Sequence, residues 1–258
     1  MEPRTKLSPR CAPPSPGAAF AQFLDALYPP RCPVCGVGTE EPGACEAHRL
    51  PEGAPAARCA RCAAPLAPCL PDGAPCPACR RAPPPFQSTR VLFDYRASRP
   101  LAEWILALKS GRRRDLAAPL GQALAGLLTG EAAPRDVLVA VPLAAVRRFE
   151  RGFDQALSLA REASRAGGLS VVRALVRRRW TSPQGAPGAV SRRAGVRDAF
   201  RPRWGASRRV AGRRVWLVDD VITSGATAAE CARVLKRMGA REVGVVALAR
   251  AGAGRPDA

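Results

Sequence analysis

The sequence predicts an α/β fold built on a parallel sheet, preceded by a small cysteine-rich metal module. Two observations carry this. Nine of the ten cysteines and nineteen of the 27 prolines lie before Phe86. After Phe86, short apolar runs alternate with amphipathic segments, the pattern of strands connected by helices. The expected organisation is a tail over 1–20, the cysteine module over 21–85, the α/β domain over 86–251 and a short tail over 252–258. A chain of 258 residues accommodates one medium domain beside a small one.

The module is defined by four pairs, Cys32/Cys35, Cys45/His48, Cys59/Cys62 and Cys76/Cys79. A two-residue gap lets both side chains turn onto one ion. His48 is the single histidine of the chain and completes the second pair. Eight ligands suffice for about two tetrahedral zinc sites. With four protein ligands per ion no coordination position stays open, so the zinc is expected to be structural. Pairing of neighbours is preferred, although interleaving fits the spacing equally. Cys11, Cys69 and Cys231 fall outside the pattern and read as ordinary thiols, although Cys69 could replace a ligand.

In the α/β domain, Arg90–Tyr95 is the first expected strand. Leu101–Lys109 and Leu116–Leu128 have helical spacing. Asp136–Val141 is a short apolar run of the kind buried on both faces of a parallel sheet. Asp154–Arg165 is amphipathic and Val171–Val176 reads as a strand. Val215–Val218 is a second buried run. In Ala226–Met238, Ala228, Cys231, Ala232, Leu235 and Met238 fall on one helical face, Lys236 and Arg237 close the last turn, and Gly239 follows. Glu242–Ala249 is the last expected strand.

The stretch VWLVDDVITSGATAAE, 215–230, joins a buried strand to a helix through two adjacent aspartates and a small-residue turn. In open parallel sheets ligands bind beyond the C-terminal strand ends. The N–H groups of a helix N-terminus suit phosphate, and Gly225 allows close approach. Carboxylates repel phosphate, so the two halves must hold different parts of one ligand. Asp219 and Asp220 suit a diol, or magnesium that binds one. Thr223, Ser224, Gly225, Ala226 and Thr227 suit a phosphate. A phosphate beside a vicinal diol describes ribose 5-phosphate. No GxxxxGK[ST] or GxGxxG is present to support a P-loop or a dinucleotide fold.

VWLVDDVITSGAT resembles the phosphoribosyl-pyrophosphate signature of the type I phosphoribosyltransferases. From Phe23 to Arg250 the layout is similar to the ComF family of competence proteins, through FLDALYPPRCPVCG, LKSGRRRDLA, VAVPLAAVRRFERGFDQA, RRWTSPQ and VDDVITSGATAAEC. The resemblance implies a type I phosphoribosyltransferase-like domain behind a double zinc ribbon. It implies that Asp219 and Asp220 hold ribose hydroxyls, with Mg2+, and that 223–227 cradles the 5-phosphate. It also implies that Lys109, Arg112, Arg147, Arg151, Gly152 and Gln155 lie near the pyrophosphate. Asp154 departs from the usual Asn of that segment, Gly195 replaces another Asn, and Trp216 is bulkier than the usual aliphatic residue.

The ligand expected from this is phosphoribosyl pyrophosphate or ribose 5-phosphate, and the implied role is DNA uptake in natural transformation beside a competence helicase. The alternative is an active phosphoribosyltransferase, a glycosyltransferase of nucleotide metabolism or salvage with an unknown acceptor. The net charge of +20, almost all of it arginine, favours polyanionic partners. Trp180 and Trp204, set among arginines, suit single-stranded DNA if exposed, whereas packing in the core or a loop is the ordinary role of such residues. No run approaches the ~18 apolar residues of a membrane span, and the N-terminus lacks an apolar signal core, so a cytoplasmic location is expected.

Overall fold

The computed structural model describes residues 31–32, 35–40, 45–46, 57–95, 99–111, 113–144, 149, 152–178, 196 and 198–251. The chain forms two compact units, Met1–Arg49 and Leu50–Ala258. In the first, an antiparallel bridge joins Arg31 to Gly38, and the turn between them holds Cys32 and Cys35.

The second unit contains the α/β domain. Its elements in chain order are α1 (Pro77–Arg81), β1 (Ser88–Asp94), α2 (Arg99–Lys109), a 3-10 turn (Arg114–Leu116), α3 (Ala117–Gly126), β2 (Val137–Ala140), α4 (Gln155–Gly167), β3 (Ser170–Val171), β4 (Leu175–Arg177), β5 (Phe200–Pro202), α5 (Ser207–Val210), β6 (Arg214–Ile222), α6 (Ala226–Arg237) and β7 (Glu242–Arg250). Five strands form one all-parallel sheet in the order β1-β7-β6-β2-β3. β4 and β5 pair antiparallel in a small second sheet.

The period of two along the strands supplies both faces. Val137, Val139, Val215, Leu217, Val243 and Val245 share a core with Ala228, Cys231, Ala232 and Leu235 of α6. The alternating Leu138, Trp216, Val218 and Val246 are buried as well. Strands covered on both faces read as continuous apolar runs, which is why β2, β6 and β7 are so conspicuous in the sequence.

Trp216 is accommodated by one neighbour. Gly244 is its register partner on β7, and a Cβ at Gly244 would lie 2.5 Å from the indole. The indole Nε1 donates to the buried Asp136 carboxylate at 3.3 Å, and the Arg214 guanidinium stacks 4.3 Å from the ring centroid. The bulk that departs from the aliphatic pattern is thus matched by a missing side chain across the ladder.

Two expectations require correction. The run 171–176 is not one strand: Ser170–Val171 ends the main sheet, and Leu175–Arg177 belongs to the small one. Val172 and Ala174 are both buried around the exposed Arg173, so the chain bends inward between the sheets. Nor does β6 stop at Val218. It continues through both aspartates to Ile222, with Asp219 opposite Ala247 and Val221 opposite Ala249.

Candidate functional site

β2 and β6 are adjacent and parallel, but their crossovers depart in opposite directions. From β2 the chain passes through α4 to β3 at one edge; from β6 it passes through α6 to β7 on the other side. Divergence of this kind opens a crevice at the C-terminal strand ends. A cavity of about 190 Å3 lies there, lined among others by Lys109, Asp154, Gln155, Asp219, Asp220 and Thr227.

Asp220 is buried and is the most heavily engaged group. Its Oδ2 accepts from Gln155 Nε2 at 3.1 Å and lies 3.4 Å from Lys109 Nζ. Lys109 ends α2 and Gln155 begins α4, so three separate elements converge on one carboxylate. Asp219 Oδ1 accepts from the Asp220 backbone N–H at 2.9 Å. Burial, reinforced by the adjacent Asp220 charge, pushes the Asp219 carboxyl up to about 8. Asp219 therefore holds a proton at neutral pH, which a bound cation would displace.

Beyond Ile222 the turn Thr223-Ser224-Gly225 carries exposed hydroxyls at 223 and 224. Gly225 has φ 74°, a left-handed conformation that costs a residue with Cβ, and it starts the twelve-residue α6. No side chain caps this N-terminus apart from a 3.4 Å approach of Ser224 Oγ to Ala226 N. Its first N–H groups are thus oriented toward the turn, as anion sites require.

The sequence-predicted residues distribute unevenly. Lys109, Gln155, Asp219, Asp220 and Thr227 share the cavity wall. Gly152 does not line it: with φ 69°, it sits where a Cβ would come 2.8 Å from Arg114 Nη2. Arg112, Arg147 and Arg151 lie outside the described residues, as do His48 and Trp180. Asp154, the substituted Asn, caps α4 by accepting from Leu157 N at 3.1 Å, a role Asp and Asn fill equally well. Sequence reasoning missed Arg177, which also lines the cavity. Nothing in ALVRRRW distinguishes it from its neighbours.

The cysteines gather as neighbouring pairs. Cys59, Cys62, Cys76 and Cys79 form one group and Cys32, Cys35 and Cys45 another, each with sulfurs within 4.8 Å of one another. Tetrahedral Zn–S bonds of about 2.3 Å place sulfurs about 3.8 Å apart. Cys62 and Cys76 Sγ are 3.7 Å apart, and Cys35 and Cys45 Sγ are 3.8 Å apart. Both groups therefore fit zinc. Burial raises the Cys59 thiol, but N–H groups of Cys76, Cys62 and Arg61 outweigh it and bring it down to about 7. The Cys76 N–H lies 3.3 Å from Cys59 Sγ. Such donors stabilise a thiolate ligand. The four-cysteine group is tied to the α/β sheet: Thr89 of β1 donates through N to Ala60 O and through Oγ1 to Arg61 O.

Comparison with known proteins agrees with this geometry. Residues 121–258 match the family model of the phosphoribosyl transferase domain. The chain is 37% identical over 175 residues to the DNA utilization protein YhgH of Escherichia coli O157:H7, covering 65% of this chain and 74% of that protein. The Salmonella typhi protein of the same name is 34% identical over 226 residues, 85% of this chain and 83% of its own. Competence protein F of Haemophilus influenzae is 35% identical over 117 residues, 45% and 51% of the two chains. The chain belongs to the ComF family, whose α/β domain has the type I phosphoribosyltransferase-like fold. No described helix is long and apolar enough to cross a membrane.

Proposed function

We propose that the crevice between β2 and β6 binds a phosphoribosyl ligand of the ribose 5-phosphate or phosphoribosyl-pyrophosphate type, and that this binding serves DNA uptake. The observation that supports it most is the order of groups along one turn. Asp220 is braced by Lys109 and Gln155 beside its neighbour Asp219, and five residues after Asp220 a glycine opens an uncapped helix N-terminus. Carboxylates suit the sugar hydroxyls, and the N–H groups with Thr223, Ser224 and Thr227 suit the 5-phosphate. A bound magnesium would neutralise the diphosphate, with Asp219 and Asp220 as its protein-side partners. Lys109, on the cavity wall beside Asp220, would meet the incoming anion, and the sequence resemblance alone assigns Arg112, Arg147 and Arg151 to the leaving group. The role in DNA uptake follows from the names of the relatives.

The two cysteine groups hold zinc in this reading, structurally, with His48 as fourth ligand of the first. The domain works in the cytoplasm.

Phosphoribosyl pyrophosphate with Mg2+ is expected to raise the melting temperature, because binding to the folded state alone stabilises by mass action. No shift at millimolar ligand overturns the site. Released pyrophosphate, screened with varied acceptors, separates an active transferase from a protein that only binds the phosphosugar.

A further inference from the structure

Trp204 is 99% exposed, at the tip of the turn between β5 and α5. The turn is fixed: Arg203 N donates to Ala174 O at 2.7 Å, Ala206 N returns to Arg203 O at 3.1 Å, and Gly205 takes φ 74°. An indole held wholly in water on a pinned turn contributes nothing to the core. It stands beside a hollow of about 460 Å3 whose walls include Arg161, Arg173, Arg203 and Arg209. Among the described residues no carboxylate pairs with any of these four arginines.

This hollow is not isolated. It shares Leu157, Arg173 and Arg203 with a second of about 120 Å3, and that one shares Pro142, Leu143, Asp154 and Arg177 with the phosphoribosyl crevice. The three hollows thus adjoin in a groove-like row from Trp204 past Arg203, Arg173 and Arg177 to the acidic turn. Among the described lining residues, arginines recur along its length, Asp154 enters at the middle hollow, and Asp219 and Asp220 stand at the far end.

We propose that this groove is a track for single-stranded DNA, with Trp204 stacking a base and Arg161, Arg173, Arg203 and Arg209 meeting the phosphates. An exposed aromatic set in a cationic groove is the means by which proteins hold single strands without reading sequence. A duplex keeps its bases stacked on each other and offers no free face to the indole. The carboxylates at the end repel phosphodiesters, so the strand stops at Arg177, beside the phosphosugar. The assignment rests on the phosphoribosyl reading only for what lies at that end.

The test is fluorescence anisotropy of a labelled short oligothymidylate with the full zinc-loaded chain. Trp204→Ala should weaken binding by roughly tenfold or more, and Trp204→Phe should restore most of it, because stacking on one aromatic is lost in the first and kept in the second. Arg173→Gln with Arg203→Gln should reduce the slope of log K against log salt by about 2, one per phosphate contact. All substituted side chains are exposed, so the fold is retained. Unchanged binding in Trp204→Ala, or equal binding of polyglutamate, overturns the track. The melting shift with phosphoribosyl pyrophosphate, read on the same Trp204→Ala protein, should persist. Its absence from the unsubstituted protein would refute the phosphosugar site while leaving the anisotropy result to decide the groove.

Discussion

Asp220→Asn separates a ligand role for the acidic turn from a structural one. Asn has nearly the same shape and can still accept the Gln155 N–H. What disappears is the charge opposite Lys109 Nζ at 3.4 Å. The Lys109 side chain is 28% exposed, so the ammonium can rehydrate, and ion pairs of this kind are worth about 0–1 kcal/mol. Against that loss stands a gain: the Asp220 charge is one of the forces holding the Asp219 proton on, and its removal relieves like-charge repulsion. Folding stability should therefore change by less than about 1 kcal/mol. Ligand binding should change far more. A charge-assisted hydrogen bond from a sugar hydroxyl is worth about 1.5–3 kcal/mol. A loss of about 2 kcal/mol is a roughly 30-fold weaker dissociation constant for phosphoribosyl pyrophosphate. Calorimetric titration measures the second quantity and chemical denaturation the first. The reasoning is refuted if Asp220→Asn binds the phosphosugar normally, or if it unfolds while the ligand is irrelevant to its stability.

The remaining predictions concern pH, metal and the core. Asp219 keeps its proton to about pH 8 when folded but loses it near pH 4 when unfolded, so its contribution to stability falls as pH rises through that interval and is level above it. Denaturation curves of the unsubstituted protein and Asp219→Asn should therefore converge at low pH and diverge toward pH 8; parallel curves would contradict the burial argument. Phosphosugar affinity should rise over the same interval, because binding favours the carboxylate. Elemental analysis should find about two zinc ions per chain, and about one in Cys79→Ser, whose melting temperature should also drop because that group anchors to β1 through Thr89. Gly244→Ala forces a methyl to 2.5 Å from Trp216 and should cost about 1–3 kcal/mol in denaturation experiments. Trp216→Leu should recover most of that loss, and a simple sum of the two effects would show that the contact is not what limits position 244.

How much of this was legible in the sequence differs by element. β2, β6 and β7 are apolar because they are buried on both faces, and that signal survives without any partner in view. The α6 face from Ala228 to Met238 is equally plain. The four-cysteine group of the second unit was readable because metal knuckles obey a local spacing rule. The bend at Arg173 was not readable: Val171, Val172, Leu175 and Val176 suit a strand, and only the tertiary course of the chain decides that they serve two sheets. The short β5 and α5 were missed for a related reason, since Phe200–Pro202 gains its pairing from Leu175–Arg177 alone. In the site, Asp219, Asp220 and the following turn lie within one contiguous motif. Arg177 reaches the same cavity from a remote strand with no motif of its own. Trp204 shows the limit most clearly, because its exposure depends on a turn held by Ala174, thirty residues earlier in the chain.

The central claim is that the turn after β6 is built for a phosphosugar, and calorimetric titration of phosphoribosyl pyrophosphate into the zinc-loaded protein with Mg2+ tests it most directly. The account predicts saturable binding of one ligand per chain, lost when Asp219 and Asp220 are both replaced by Asn. Absence of heat at millimolar ligand, or binding that survives the double replacement, would contradict it.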